Sequence, residues 1–373
     1  MQRVQKKHII QDLNKKMVFL VGPRQAGKTW LAKDIGSQFP NTLYLNYDRI
    51  EDQSIIKNES WLKDTQLLIL DELHKMPNWK NYLKGIYDTK PSHLKILVTG
   101  SARLDIYHQI GDSLAGRYFL HHLLPFSPAE LHQLNQPVDI DRLLKRGGFP
   151  EPYLTNSDID AQRWRMQYVD SLIRTDALEL ETIHDIRAIQ TIFELLRTKV
   201  GSPISYASIA EDIGISPHTV KKYIHILEAL YIVFKITPFS RNIARSLLKE
   251  PKLYFFDTGL VKGDKGSQLE NLVAVSLLKH IYAKRDYAAE EYELKYLRTK
   301  EKKEIDFALI CDNKIQQIIE VKYSDNSLSN ALEAFSKKYQ LSATQIVKDL
   351  KREQVHKEIP IQRVDHFLQA LDL

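Results

Sequence analysis

Short apolar runs set the rhythm of the first third of this 373-residue chain. Residues 17–21, 42–46, 67–70, 94–99 and 118–124 are strand-length and apolar, and longer stretches with helical or polar spacing separate them. Such alternation predicts a parallel sheet with helices on both faces. From about residue 139 to 200 the pattern becomes helical, as in 161–173, with a break at Arg146-Gly147-Gly148-Phe149-Pro150-Glu151-Pro152. Residues 204–240 change character again, and mixed strand and helix return from about 250. The chain carries no fixed-period repeat and no low-complexity tract.

Composition narrows the class. A hydrophobic fraction of 43% and a charged fraction of 27% are those of a soluble globular protein. No apolar run approaches the roughly 18 residues of a membrane-spanning helix. Met1-Gln2-Arg3-Val4-Gln5-Lys6-Lys7-His8 leads into no secretion-signal core. The lone cysteine, Cys311, excludes an intramolecular disulfide. These features predict a cytoplasmic protein with no membrane partner. The net charge of +6 is a mild excess that permits a nucleic-acid partner without requiring one.

The strand at 17–21 runs into Gly22-Pro23-Arg24-Gln25-Ala26-Gly27-Lys28-Thr29, followed by the helical Trp30-Leu31-Ala32. This is a full phosphate-binding loop, G-x-x-x-x-G-K-[ST], in the strand–loop–helix context it needs. Lys28 is expected to reach the β- and γ-phosphates and the Thr29 hydroxyl to hold Mg²⁺, with the helix N-terminus adding its positive end. The bland alternative is a glycine turn that binds nothing. The strand at 67–70 ends in Asp71-Glu72. Asp71 suits the Mg²⁺ and Glu72 suits polarisation of the attacking water. A guanine-reading Asn-Lys-x-Asp is absent, so ATP is the expected nucleotide.

Residues 205–227 read as a helix-turn-helix. Ala210 allows close packing, Gly214 fits the turn, Ser216 caps the second helix and Pro217 starts it. Val220, Ile224 and Leu227 share the apolar face, leaving His218, Thr219, Lys221, Lys222 and Tyr223 for the exposed face and DNA contact. Residues 231–236 would supply a wing strand. The alternative is a module that only packs or assembles. Near the C-terminus, a hairpin carries Asp306 on one strand and Glu320-x-Lys322 on the next, and an upstream helix supplies Glu270. Asp306 and Glu320 could share a divalent metal, with Lys322 polarising water or phosphate. This spacing resembles the PD-(D/E)xK nuclease core, as Glu270, Asp306, Glu320 and Lys322; such a fold can also be catalytically idle.

Together with Val98-Thr99-Gly100-Ser101-Ala102, Leu114-Ala115-Gly116-Arg117, Leu124-Pro125-Phe126-Ser127 and Gly147-Gly148-Phe149-Pro150, these motifs resemble a family of prokaryotic AAA+ ATPases. The resemblance covers nearly the whole chain. It implies an α/β P-loop AAA+ parallel sheet at 1–135, a helical lid at 136–198, a winged helix-turn-helix at 199–245, and a restriction-endonuclease-like α/β domain at 246–373. It implies that Thr99 and Ser101 sense the γ-phosphate. It also implies that Arg117, with Arg103 a weaker candidate, enters a neighbouring subunit's ATP site in a homo-oligomer, a hexameric ring. The alternative for Arg117 is a local carboxylate. No second-sensor arginine is assignable beyond Arg163 and Arg165. The function this implies is ATP-driven remodelling of branched or replicating DNA, with ATP and Mg²⁺ as cofactors. A regulatory switch with a protein partner and an ATP-gated nuclease remain open beside it.

Overall fold

Five parallel strands build the first sheet: β1 (Met17–Val21), β2 (Thr42–Asn46), β3 (Leu67–Asp71), β4 (Lys95–Thr99) and β5 (Tyr118–His122), in the order β2-β3-β4-β1-β5. The structure is a computed structural model that describes residues 2–100, 114–177, 185–240, 250–299 and 303–373. The helices of this region are α1 (Lys6–Leu13), α2 (Lys28–Gly36), α3 (Ile50–Asn58) and α4 (Trp79–Thr89). Alternation along β1 and β3 explains why β1 is apolar throughout and β3 is apolar up to its terminal Asp71. Val18, Leu20, Leu67 and Ile69 pack with Ile9, Leu13, Leu31 and Ile35 from α1 and α2. Phe19, Val21, Leu68 and Leu70 pack with Ile56, Leu83 and Ile86 from α3 and α4. Each strand therefore feeds two separate cores, one on each sheet face, as the sequence pattern requires.

The chain divides into two compact units, Met1–Leu124 and Pro125–Leu373. The second begins with α5 (Pro128–Gln133), α6 (Ile140–Arg146), α7 (Pro150–Leu154), α8 (Asp158–Ser171), α9 (Ile186–Thr198), α10 (Tyr206–Ile213) and α11 (Pro217–Ala229). Side-chain caps start most of them: Ser127, Asp139, Ser157, Asp185, Ser205 and Ser216 each accept a backbone N–H from the first turn. Gly214, left-handed at φ 75°, ends α10, and Ser216-Pro217 opens α11. An antiparallel ribbon follows, β6 (Val233–Ile236) with β7 (Lys252–Phe255). One expectation is corrected here: Tyr223 is buried, not exposed. It lies a helical turn after Val220 and one before Leu227, which places it on their inward face.

The rest of the second unit is α12 (Lys265–Ala288), β8 (Tyr292–Arg298), β9 (Glu304–Cys311), β10 (Lys314–Lys322), α13 (Asn330–Tyr339), β11 (Ala343–Val347), β12 (Gln354–His356), β13 (Ile359–Arg363) and α14 (Val364–Gln369). Its six-stranded sheet is mixed, in the order β12-β13-β11-β10-β9-β8. Strands β10, β11 and β13 run parallel, while β8, β9 and β12 pair antiparallel to their neighbours. The hairpin expected at 304–322 is β9–β10. Among the described residues no helix is long and apolar enough to cross a membrane.

Candidate active site

The phosphate loop joins β1 to α2. Gly27 holds φ 94° at the N-cap of α2, a left-handed conformation that only glycine adopts without strain. Gln25 is also left-handed at φ 59°. The loop is fastened from behind by Arg3, whose guanidinium donates to Ala26 O at 2.7 Å and Leu124 O at 2.5 Å. No sequence signal singled out Arg3, because its contacts join segments far apart in the chain.

Lys28 is buried, and its ammonium donates to Gly22 O at 2.9 Å and Pro23 O at 2.7 Å. Burial lowers its pKa to about 8, against the opposing pull of Glu72 and Asp71. The carboxylate of Asp71, at the end of β3, is the hub of the site. Thr29 Oγ1 and Tyr44 OH donate to Asp71 Oδ2 at 2.9 and 2.7 Å, and Thr99 Oγ1 donates to Oδ1. Register explains the convergence: Asp71 pairs with Asn46 on one side and Thr99 on the other, so the strand ends line up. Tyr44 escaped the sequence reading because a tyrosine in a short strand reads as packing. Its hydroxyl pKa is raised, by burial first and then by Asp71.

Glu72 sits just past the strand in a left-handed conformation at φ 56°, with its N–H donating to Thr99 O at 3.0 Å. Its Oε2 makes no hydrogen bond and lies 3.5 Å from His74 Nε2. Burial raises its pKa. Lys28, Thr29, Asp71, Glu72 and Thr99 thus come together. Ser101 and Arg103 lie outside the described residues. Arg117 stands apart from this group: its Nε and Nη2 donate to Asp88 of α4 at 2.8 and 3.0 Å. In the second unit, Arg165 pairs with Asp257 at 2.7 Å, and Arg163 lies 3.9 Å from Asp160.

On α11, His218 and Lys221 are exposed, and Thr219 and Lys222 are half-buried. Thr219 Oγ1 lies 2.9 Å from Ser216 Oγ, so that hydroxyl is part of the helix cap. The C-terminal set also gathers. Glu320 Oε1 pairs with Lys322 Nζ at 2.8 Å, and Asp306 Oδ2 accepts from Val321 N at 2.9 Å. Burial, reinforced by Asp306, pushes both Glu270 and Glu320 up to about 7. A lysine absent from the sequence reading sits among them: Lys252 Nζ is 2.7 Å from Glu304, 3.3 Å from Glu270 and 3.7 Å from Asp306. Glu270, Asp306 and Glu320 were the expected holders of a divalent metal. Among the described residues no three His, Cys, Asp or Glu side chains are placed to hold an ion.

Residues 14–132 match a family model described as an AAA domain. Residues 138–264 and 265–368 match two domains of unknown function, DUF8612 and DUF4143. The chain is 27% identical over 246 residues to the uncharacterized protein Rv2008c of Mycobacterium tuberculosis, 66% of this chain and 55% of that one. It therefore spans about half the length of this relative. It is 25% identical over 386 residues to the uncharacterized protein MJ1544 of Methanocaldococcus jannaschii, 94% of this chain and 83% of that one. Among solved structures it resembles the Walker-type ATPase PABY2304 of Pyrococcus abyssi, with a TM-score of 0.43 at 14% identity over 69% of this chain and 93% of that one. Residues 14–132 therefore match an AAA domain, and there the chain forms a five-stranded parallel sheet with a phosphate loop, the P-loop fold.

Proposed function

We propose that the chain hydrolyses ATP with Mg²⁺ and works as an oligomer that remodels branched or replicating DNA. The observation that carries this reading is the convergence of Lys28, Thr29, Asp71 and Thr99 at the ends of neighbouring parallel strands and the helix that follows β1. The donor set fits a hard cation, with the Thr29 hydroxyl 2.9 Å from an Asp71 oxygen. When bound, Mg²⁺ offsets charge on the phosphate oxygens. Lys28 exchanges its loop carbonyls for β- and γ-phosphate oxygens. Thr99, with Ser101, reads the γ-phosphate. Glu72 takes a proton from the attacking water as oxygen bonds to the γ-phosphorus and the bond to the β-phosphate oxygen breaks, with ADP leaving. A carboxylate whose pKa burial has raised is a better base near neutrality. Arg117 serves a neighbouring copy in a ring, six-membered in this reading.

The finer division follows the sequence: 1–135 nucleotide-binding, 136–198 a lid, 199–245 a winged helix, 246–373 a nuclease-like fold. Support for the winged helix is the capped pair α10–α11 followed by the β6–β7 ribbon. His218, Lys221 and Lys222 on α11 offer cations or donors to phosphates. Support for the nuclease-like reading is the hairpin β9–β10 beside α12. The cytoplasm is the proposed compartment.

Steady-state ATP hydrolysis tests the proposal, with Lys28→Ala as the blank and with no DNA, single-stranded, duplex, forked or four-way junction DNA at one stated salt concentration. Stimulation by one structure, lost in Lys221→Ala, is the expected result. Turnover that persists in Lys28→Ala overturns the ATP site. Turnover that Lys28→Ala abolishes but every DNA leaves unchanged overturns the DNA motor and moves the assignment to a switch with a protein partner.

A further inference from the structure

The carboxylates of the C-terminal unit surround a cation that belongs to the chain itself. Lys252 opens β7 and is 1% exposed, with its ammonium 5.4 Å from the Tyr296 ring centroid. Its Nζ lies 2.7 Å from Glu304 Oε1, 3.3 Å from Glu270 Oε1 and 3.7 Å from Asp306 Oδ1. Other donors hold part of the cluster, while the buried Glu320 Oε2 makes no hydrogen bond. Tyr254 OH donates to the same Glu270 oxygen at 2.7 Å, Val321 N donates to Asp306 Oδ2, and Lys322 holds Glu320 Oε1. A Cβ at Gly201 would fall 2.7 Å from the Glu270 carboxylate, so the centre is walled on that side as well.

A divalent ion would need several of these oxygens at about 2.0–2.6 Å. It would also sit beside an ammonium in a buried setting, where like charges repel strongly. Burying a lysine is unfavourable unless carboxylates compensate it. We propose that Lys252 is a tethered cation standing where a nuclease-like core would bind its metal, so that this centre is closed to divalent ions and does not cut DNA. The inference rests on the nuclease-like reading of 246–373 and is independent of the ATPase reading.

Electron paramagnetic resonance of Mn²⁺ with the full-length, nucleotide-free protein tests it. Mn²⁺ held near Thr29 and Asp71 is common to all variants and cancels. Wild type and Asp306→Asn are expected to bind the same amount of Mn²⁺. Lys252→Met, neutral and of similar length, is expected to gain an additional Mn²⁺ per chain, and the gain to vanish in Lys252→Met/Asp306→Asn. The proposal is overturned if Asp306→Asn removes bound Mn²⁺ from the wild type, or if folded Lys252→Met gains none. Should Lys252→Met fail to fold, the comparison of wild type with Asp306→Asn decides alone.

Discussion

Lys28 couples nucleotide binding to pH. Unfolded, its ammonium titrates near 10.5; in the fold, burial lowers this to about 8. Below pH about 8 the ammonium is charged in both states, and its desolvation weakens the nucleotide-free fold. That cost fades as pH rises from the folded value towards the unfolded one, where the amine is neutral in both states. Phosphate oxygens favour the charged form, so ATP binding above pH about 8 should draw a proton onto Lys28 and weaken as pH climbs further. Calorimetry in two buffers of different ionisation enthalpy checks this. The heat of ATP binding should depend on the buffer at pH about 9 and not at pH about 7; a heat independent of buffer at both would sink the assignment. That Lys28, Thr29, Asp71 and Glu72 come together was legible from local spacing and strand context. Tyr44, Arg3 and Lys252 were not, because each acts through contacts 18 to 121 residues away in sequence that exist only once strands are in register.

At the scale of elements, apolar runs located all five strands of the first sheet to within two residues; β1 and β3, buried on both faces, have the least sequence freedom. The face of α11 was harder: Tyr223 and Val220 point inward together, and an amphipathic tyrosine fits either face. The Gly147-Gly148-Phe149 motif gains a purpose only from the fold. Phe126 N donates to Gly148 O at 2.7 Å, and Gly147, at φ 69°, gives way to Asp257. Asp257 in turn accepts from Arg165 Nε at 2.7 Å and from Gly259 N at 3.0 Å. A Cβ at Gly147 would lie 1.7 Å from Asp257 Oδ1. Gly147→Ala should therefore lower the stability of the second unit by at least about 1–3 kcal/mol, through strain and a displaced ion pair. Gly85 is the control: it is exposed within α4, and a Cβ there meets nothing within 4 Å. Gly85→Ala should stabilise the first unit by about 0.5–1 kcal/mol. Urea unfolding midpoints check both signs; equal effects would show that the Gly147 turn tolerates a side chain.

At the scale of the whole molecule, the question is whether one copy completes its own ATP site. Lys28, Thr29, Asp71, Glu72 and Thr99 all come from the first unit, while Arg117 of the same chain is bound to Asp88. That pair is bidentate but only partly buried, so salt screens it. An arginine so placed can exchange its partner for a phosphate of a neighbouring copy. Two inactive variants then become informative together: Lys28→Ala keeps Arg117 but loses its own phosphate lysine, and Arg117→Ala keeps the lysine but loses the arginine. If Arg117 acts in trans, mixing them should restore about a quarter of the wild-type rate, the share of interfaces that join an intact site to an intact arginine. Asp88→Ala should leave turnover at least at the wild-type level, because it only releases the arginine. A mixture no faster than the sum of its parts, or an Arg117→Ala protein with full turnover, would return Arg117 to a local ion pair and leave the single chain self-sufficient.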